Sequence, residues 1–178
     1  VTDAAVPHLG VESFRFREGW AATAKVRVAT DLPTLWDALL DLESFPREVP
    51  GVDHARFEHL SNTEARCTIG GRLGVWKLGV PLDFRYRMRI DHHRSLELIE
   101  YEKGVFRDVW FRHEVSPAAQ GGTDLVSTFY FDLRGFPLLG AFRLFERHPW
   151  MSEMVNLMAT AMLARSFQRR FESAEEGA

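Results

Sequence analysis

The chain holds a single cysteine, Cys67, among 178 residues. One thiol cannot close an internal disulfide, so the fold has to stand without covalent cross-links, as is usual in a reducing compartment. Lysine is scarce too: 19 of the 22 basic residues are arginine, and they are scattered, with no run longer than Arg169-Arg170. Together with a net charge of −3 this speaks against a nucleic-acid partner. No stretch approaches the roughly 18 apolar residues of a transmembrane helix, and Val1 to Gly10 has neither the basic nor the apolar region of a signal peptide. A cytoplasmic protein is the expectation, with at most a transient membrane contact. Also absent are HExxH, a paired CxxC, a P-loop and GxSxG, each of which would announce a specific chemistry. The seven histidines are dispersed: His92 and His93 share a turn, as a solvated pair would, and His54 and His59 point to opposite faces of a regular strand. No metal and no cofactor is expected.

What remains is an ordinary globular composition, 46% apolar and 26% charged, in a length suited to one domain over residues 1–178. The longest regular stretch runs from His148 to Glu172. Pro149 suits a first helical position, and about 24 residues at 1.5 Å rise make a rod of roughly 36 Å, as wide as a sheet of about seven strands. At 100° per residue Met151, Met154, Val155, Met158 and Met162 share one side, with Ser152, Glu153, Asn156 and Thr160 opposite. Beyond Ala161 the pattern inverts: Leu163, Phe167 and Phe171 continue the polar line, Arg165 and Arg169 the methionine line. The methionine side is expected to face inward, either as core filler or as the adaptable wall of a cavity.

Ahead of that helix the period is mostly two. Residues 1–18 read as a lead-in that includes an edge strand, and Trp20 to Ala29 as a first firm strand whose small side chains suit close approach by another element. Thr30-Asp31-Leu32-Pro33 is a helix start, and Leu35, Trp36, Leu39 and Leu40 line one side of the helix that follows to Leu42. A short second helix or turn ends at Pro50-Gly51. Strands are then expected over 52–60, 64–69, 73–80, 82–91, 96–102, 106–115 and 123–134, with a bulge or bend at Gly70-Gly71. In the clearest of them Phe84, Tyr86, Met88 and Ile90 face one way, and Arg85, Arg87 and Arg89 form a wet side. This order predicts an α+β fold, with helices on one face of a curved antiparallel sheet. Residues 135–148 form an apolar insertion; Phe136 to Phe145 is read as a helix over the methionine face or a flap at a cavity entrance.

The run Ala29-Thr30-Asp31-Leu32-Pro33-Thr34-Leu35-Trp36, continuing through Phe45-Pro46 to Pro50-Gly51-Val52, resembles the first strand end and helix pair of the START-like, helix-grip superfamily. Its polyketide cyclase and coenzyme-Q-binding branch is the nearest in pattern. Trp110-Phe111, Gly122-Thr123-Asp124-Leu125-Val126 and Phe129-Tyr130-Phe131 are similar to the final hairpin of that branch, and Ser166 to Phe171 to its last helix. The resemblance spans about Trp20 to Phe171, and residues 135–148 depart from it. It implies a curved antiparallel sheet wrapped around a long C-terminal helix, two short helices after the first strand, and an apolar cavity between sheet and helix. These motifs mark a scaffold shared by binders and enzymes.

Expected ligand-facing residues are Phe84, Tyr86, Met88, Tyr101, Trp110, Phe129, Phe131, Met154, Met158 and Met162. The candidates for chemistry are Asp108, His113 and Tyr86. On 106–114, one face carries Asp108, Arg112 and Glu114 with Trp110, the other Arg107 and His113 with Phe111; the same choice separates Glu100 from Tyr101. The leading expectation is a non-catalytic carrier of a hydrophobic small molecule, a lipid, polyprenyl quinone or polyketide. The alternatives are a cyclase, aromatase or dehydratase acting in the same cavity, and an interaction module, monomeric or homodimeric, using residues 136–145.

Overall fold

The computed structural model describes residues 10–48, 52–75, 78–134 and 147–175. Eight antiparallel strands form one sheet: β1 (Gly10–Phe16), β2 (Gly19–Val28), β3 (Val52–His59), β4 (Glu64–Val75), β5 (Leu78–Asp91), β6 (Ser95–Lys103), β7 (Asp108–Pro117) and β8 (Thr123–Asp132). Their spatial order is β1-β2-β8-β7-β6-β5-β4-β3. Between β2 and β3 lie α1 (Leu32–Leu40), a 3₁₀ turn (Leu42–Ser44) and α2 (Phe45–Glu48). This connection carries the chain to the far edge, from which six strands meander back until β8 pairs with β2. The long C-terminal helix α3 (Pro149–Glu175) closes the curved sheet.

Local chemistry accounts for these boundaries. Asp31 caps α1, its carboxylate accepting the Thr34 N–H at 2.9 Å, and Pro33 occupies the first turn. Leu35, Trp36 and Leu39 are buried beneath it. α3 lies along β2, where Ala24, Val26 and Val28 leave room for a helix backbone, and Ala164 is fully buried at that contact.

Residues 73–75 and 78–80, expected as parts of one separate strand, are instead the distal arms of β4 and β5, paired from Leu73↔Val80 to Val75↔Leu78. Gly70 and Gly71 pair with β5 in unbroken register, and the irregularity lies opposite them on β3, between Val52 and His54. The imidazole of His54 covers Gly70, so a Cβ there would sit 2.2 Å from its Cε1. The expected helix or flap at 136–145 lies outside the described residues.

The methionine side of α3 reverses expectation. Met154, Met158 and Met162 are 47%, 57% and 68% exposed, whereas Asn156 and Thr160 are fully buried. Asn156 is the cause. The Phe131 N–H donates to its Oδ1 at 2.8 Å, and its Nδ2 donates to the Phe131 carbonyl at 3.2 Å and the Ser152 carbonyl at 2.9 Å. β2 pairs with β8 only as far as Ala21↔Tyr130, while its first two residues, Gly19 and Trp20, pair with β1 alone. The side chain of Asn156 therefore supplies the strand partner that Phe131 lacks, and it rotates the polar side of the helix onto the sheet.

At the opposite end of β8, Gly122 has φ +77° and a Cβ there would stand 2.5 Å from the Val28 carbonyl oxygen. Gly121, at φ +90°, has open space around it. Gly122→Ala is expected to cost about 2 kcal/mol in urea unfolding and Gly121→Ala about 1, since both require left-handed backbone but only the first meets a main-chain atom.

Candidate functional site

The register of β5 to β8 decides which side chains meet. Pairing of Val109↔Phe131 and Phe111↔Phe129 brings these four residues to the helix-facing side, together with His113. Trp110 and Tyr130 form the alternate pair on the other side, against Phe16, at ring-centre distances of 4.9 and 5.3 Å. Trp110 is thus no part of the lining. Asp108 shares that outer side, in an ion pair with Arg17, and Arg112 bonds Glu114 at 2.8 Å. Neither acidic group reaches the interior.

Strand β6 settles the choice between Glu100 and Tyr101 by a bulge. Met88 pairs with Leu98 and Arg87 with Glu100, leaving Ile99 as an extra residue. The extra residue reverses the alternation, so Tyr101 joins Leu96 and Leu98 on the inner side. Glu100 faces out and pairs with Arg87. The wet side of β5 is as expected: Arg85 and Arg89 are exposed, and Arg87 and Arg89 meet Glu100 and Glu97.

Together these inward residues surround a cavity of about 250 Å³. Phe84, Tyr86 and Met88 come from β5, Phe129 and Phe131 from β8, and Leu163 and Phe167 from α3, while Leu39, Leu42 and Phe45 close the α1–α2 end. Of the sequence candidates, Phe84, Tyr86, Met88, Tyr101, His113, Phe129 and Phe131 therefore converge. Met154, Met158 and Met162 sit on the solvent side of α3 and contribute nothing to the lining. The helix instead enters through Leu163 and Phe167, the inverted part of its pattern. Leu39, Leu42 and Phe45 are lining residues beyond the sequence candidates; the apolar side of α1 is their signal, but only the crossing of the sheet sets them over the cavity.

Among the described residues, three polar side chains reach this interior: Tyr86, Tyr101 and His113. Tyr86 lies against its cross-strand partner Cys67, and the Cys67 thiol donates to Met88 Sδ at 3.3 Å. Burial raises the Tyr86 phenol well above its ordinary value and pushes the Cys67 thiol up to about 12, so both stay neutral. The Tyr101 oxygen accepts the Phe106 N–H at 3.3 Å. His113 Nδ1 lies 2.9 Å from Ser127 Oγ, and the ring packs among Phe111, Phe129 and Phe167. Burial alone lowers its pKa from 6.5 to about 4, making it a neutral imidazole at physiological pH. Among the described residues no cluster of ligating side chains could hold a metal ion, and no helix is long and apolar enough to cross a membrane.

No family model and no curated protein matches the chain by sequence. Solved structures do match its fold. A STAR-related lipid transfer protein from Xanthomonas axonopodis aligns over 93% of this chain and 98% of its own, with TM-score 0.67 at 11% identity. A START superfamily protein from Mycobacterium smegmatis aligns over 86% and 98%, with TM-score 0.60 at 16% identity. The Zhui aromatase/cyclase from Streptomyces sp. R1128 aligns over 89% and 94%, with TM-score 0.51 at 14% identity. With the sheet order, the crossing helices and the interior cavity already in place, these likenesses establish that the chain has the START-like, helix-grip fold.

Proposed function

We propose that this protein binds a hydrophobic small molecule, such as a lipid, a polyprenyl quinone or a polyketide-like compound, in the cavity between sheet and α3. The observation that carries this reading is the lining: aromatic and aliphatic side chains from every layer of the fold, with three neutral polar groups among them. Apolar pockets with a few placed polar groups are the usual form of a ligand site. The lipid transfer protein and the aromatase/cyclase named above support it at the level of fold.

Size narrows the occupant. An apolar cavity of about 150 Å³ accepts benzene, so about 250 Å³ suits a one- or two-ring group or a short acyl chain. A polyprenyl tail would have to extend beyond it. Native mass spectrometry of protein purified from its source should show an apolar ligand, and 2-methyl-1,4-naphthoquinone should bind the emptied protein. Leu163→Trp, which projects an indole into the same space, should weaken that binding at least about tenfold while circular dichroism stays native. A protein always empty that also ignores the quinone would refute the proposal.

A second reading, a cyclase, aromatase or dehydratase in the same cavity, rests on the convergence of His113, Tyr86 and Tyr101. Asp108 has no place in it, being on the outer side. It requires that His113→Ala or Tyr86→Phe abolish turnover of a poly-β-keto substrate while the fold persists.

A further inference from the structure

The pairing of His113 with Ser127 sets which kind of hydrogen-bonding group the cavity offers. Ser127 is fully buried on β8, and its hydroxyl has one hydrogen-bond partner among the described residues, His113 Nδ1 at 2.9 Å. Two proton arrangements fit that distance. If Nδ1 carried the proton it would donate to Ser127, and the serine hydrogen would be left buried without an acceptor. If the serine hydroxyl donates to Nδ1, every hydrogen of the pair is used except one on Nε2. Each arrangement leaves one donor over: in the first it is the serine hydrogen, away from the cavity, and in the second the Nε2 hydrogen of a residue that lines it, where a ligand can supply the acceptor.

The remaining nitrogen faces the cavity. Nε2 has no partner among the described residues, and it is not sealed in as the Trp36 indole nitrogen is. Of the two phenols, Tyr86 is buried against its cross-strand partner Cys67, and the Tyr101 oxygen accepts from the Phe106 backbone. The aromatic rings packed against His113, those of Phe111, Phe129 and Phe167, offer no competing acceptor.

We propose that Ser127 locks His113 as the Nε2–H tautomer, and that this N–H selects uncharged apolar ligands carrying a carbonyl-type acceptor oxygen. Such a ligand would place its ring or chain among the phenylalanines and its oxygen about 3 Å from Nε2. A charged carboxylate is disfavoured, because its desolvation has no fixed cation to offset it. The assignment rests on the cavity-binding reading and deepens it by naming the chemistry of the ligand.

Two measurements test it. Nitrogen-15 NMR of the wild-type protein at about pH 7 should show His113 protonated at Nε2 and bare at Nδ1, and Ser127→Ala should release the ring to a mixture of tautomers. Binding of 1-tetralone and tetralin, which differ only by a carbonyl in place of a methylene, should then be compared in wild type and His113→Phe. The ratio of tetralone to tetralin affinity should fall about tenfold in the variant, the worth of one neutral hydrogen bond. A proton found on Nδ1, or an unchanged ratio with both probes still bound, overturns the assignment and leaves the cavity-binding reading intact. Failure of both probes to bind the wild type overturns that reading, and this one with it. The NMR result needs no variant at position 113 to fold.

Discussion

Asn156→Leu is expected to lower the free energy of unfolding by about 3 kcal/mol or more. Leucine matches asparagine in branching at Cγ and suits a helix, so shape and propensity predict little change. The loss comes from Phe131, whose N–H and C=O both pair with the Asn156 amide, at 2.8 and 3.2 Å. Without it each is a half-buried backbone group lacking a partner, at about 1–3 kcal/mol apiece. Thr160→Val is the contrast. Its hydroxyl bonds only the Asn156 carbonyl of its own helix, at 2.7 Å, so its loss should cost under about 1 kcal/mol. Urea denaturation of both variants checks the pair. Equal losses would mean that α3 is held by apolar packing alone.

Acidification gives the second large effect. Folded His113 titrates near 4, against 6.5 for the ordinary group. Between those values the unfolded chain takes up a proton that the folded chain refuses. Stability from this residue is therefore intact above about pH 6.5 and is lost as pH falls toward 4, by on the order of 3 kcal/mol in all. Carboxylates titrate over part of the same range, so the measurement is the difference between two proteins. From about pH 7 to about pH 4, wild type should lose roughly 3 kcal/mol more than His113→Gln, which has no proton to gain. Parallel pH curves would show that the imidazole is solvated in the folded state.

The path from residues to fold is readable where a pattern is local. Leu82 to Asp91 alternates apolar and polar side chains, and β5 buries Tyr86, Met88 and Ile90 while its arginines stay outside. Thr30-Asp31-Leu32-Pro33 begins α1 because capping chemistry involves only neighbours in the chain. The small residues of β2 anticipate close approach by another element, which is α3. Where two faces are equally apolar, the residues cannot choose. β7 carries Trp110 on one side and Phe111 on the other, and pairing with β8 alone assigns Phe111 and His113 to the cavity and Trp110 and Asp108 to the outside.

The long helix departs from its apolar pattern for a related reason. Helical periodicity treats Met as a core residue and Asn as a surface one, and over Met154 to Met162 that reasoning points the wrong side inward. The helix docks where β2 has parted from β8, and an unpaired strand edge attracts a side-chain amide more strongly than a methionine. Composition and periodicity by themselves determined a disulfide-free α+β chain, with an antiparallel sheet, a terminal helix and an apolar interior, because each of these follows from residues near one another in sequence. The tertiary structure alone decided the inward side of α3, the bulge at Ile99 that turns Tyr101 inward, and the meeting of His113 with Ser127. Each depends on which backbone groups of distant strands were left to be satisfied.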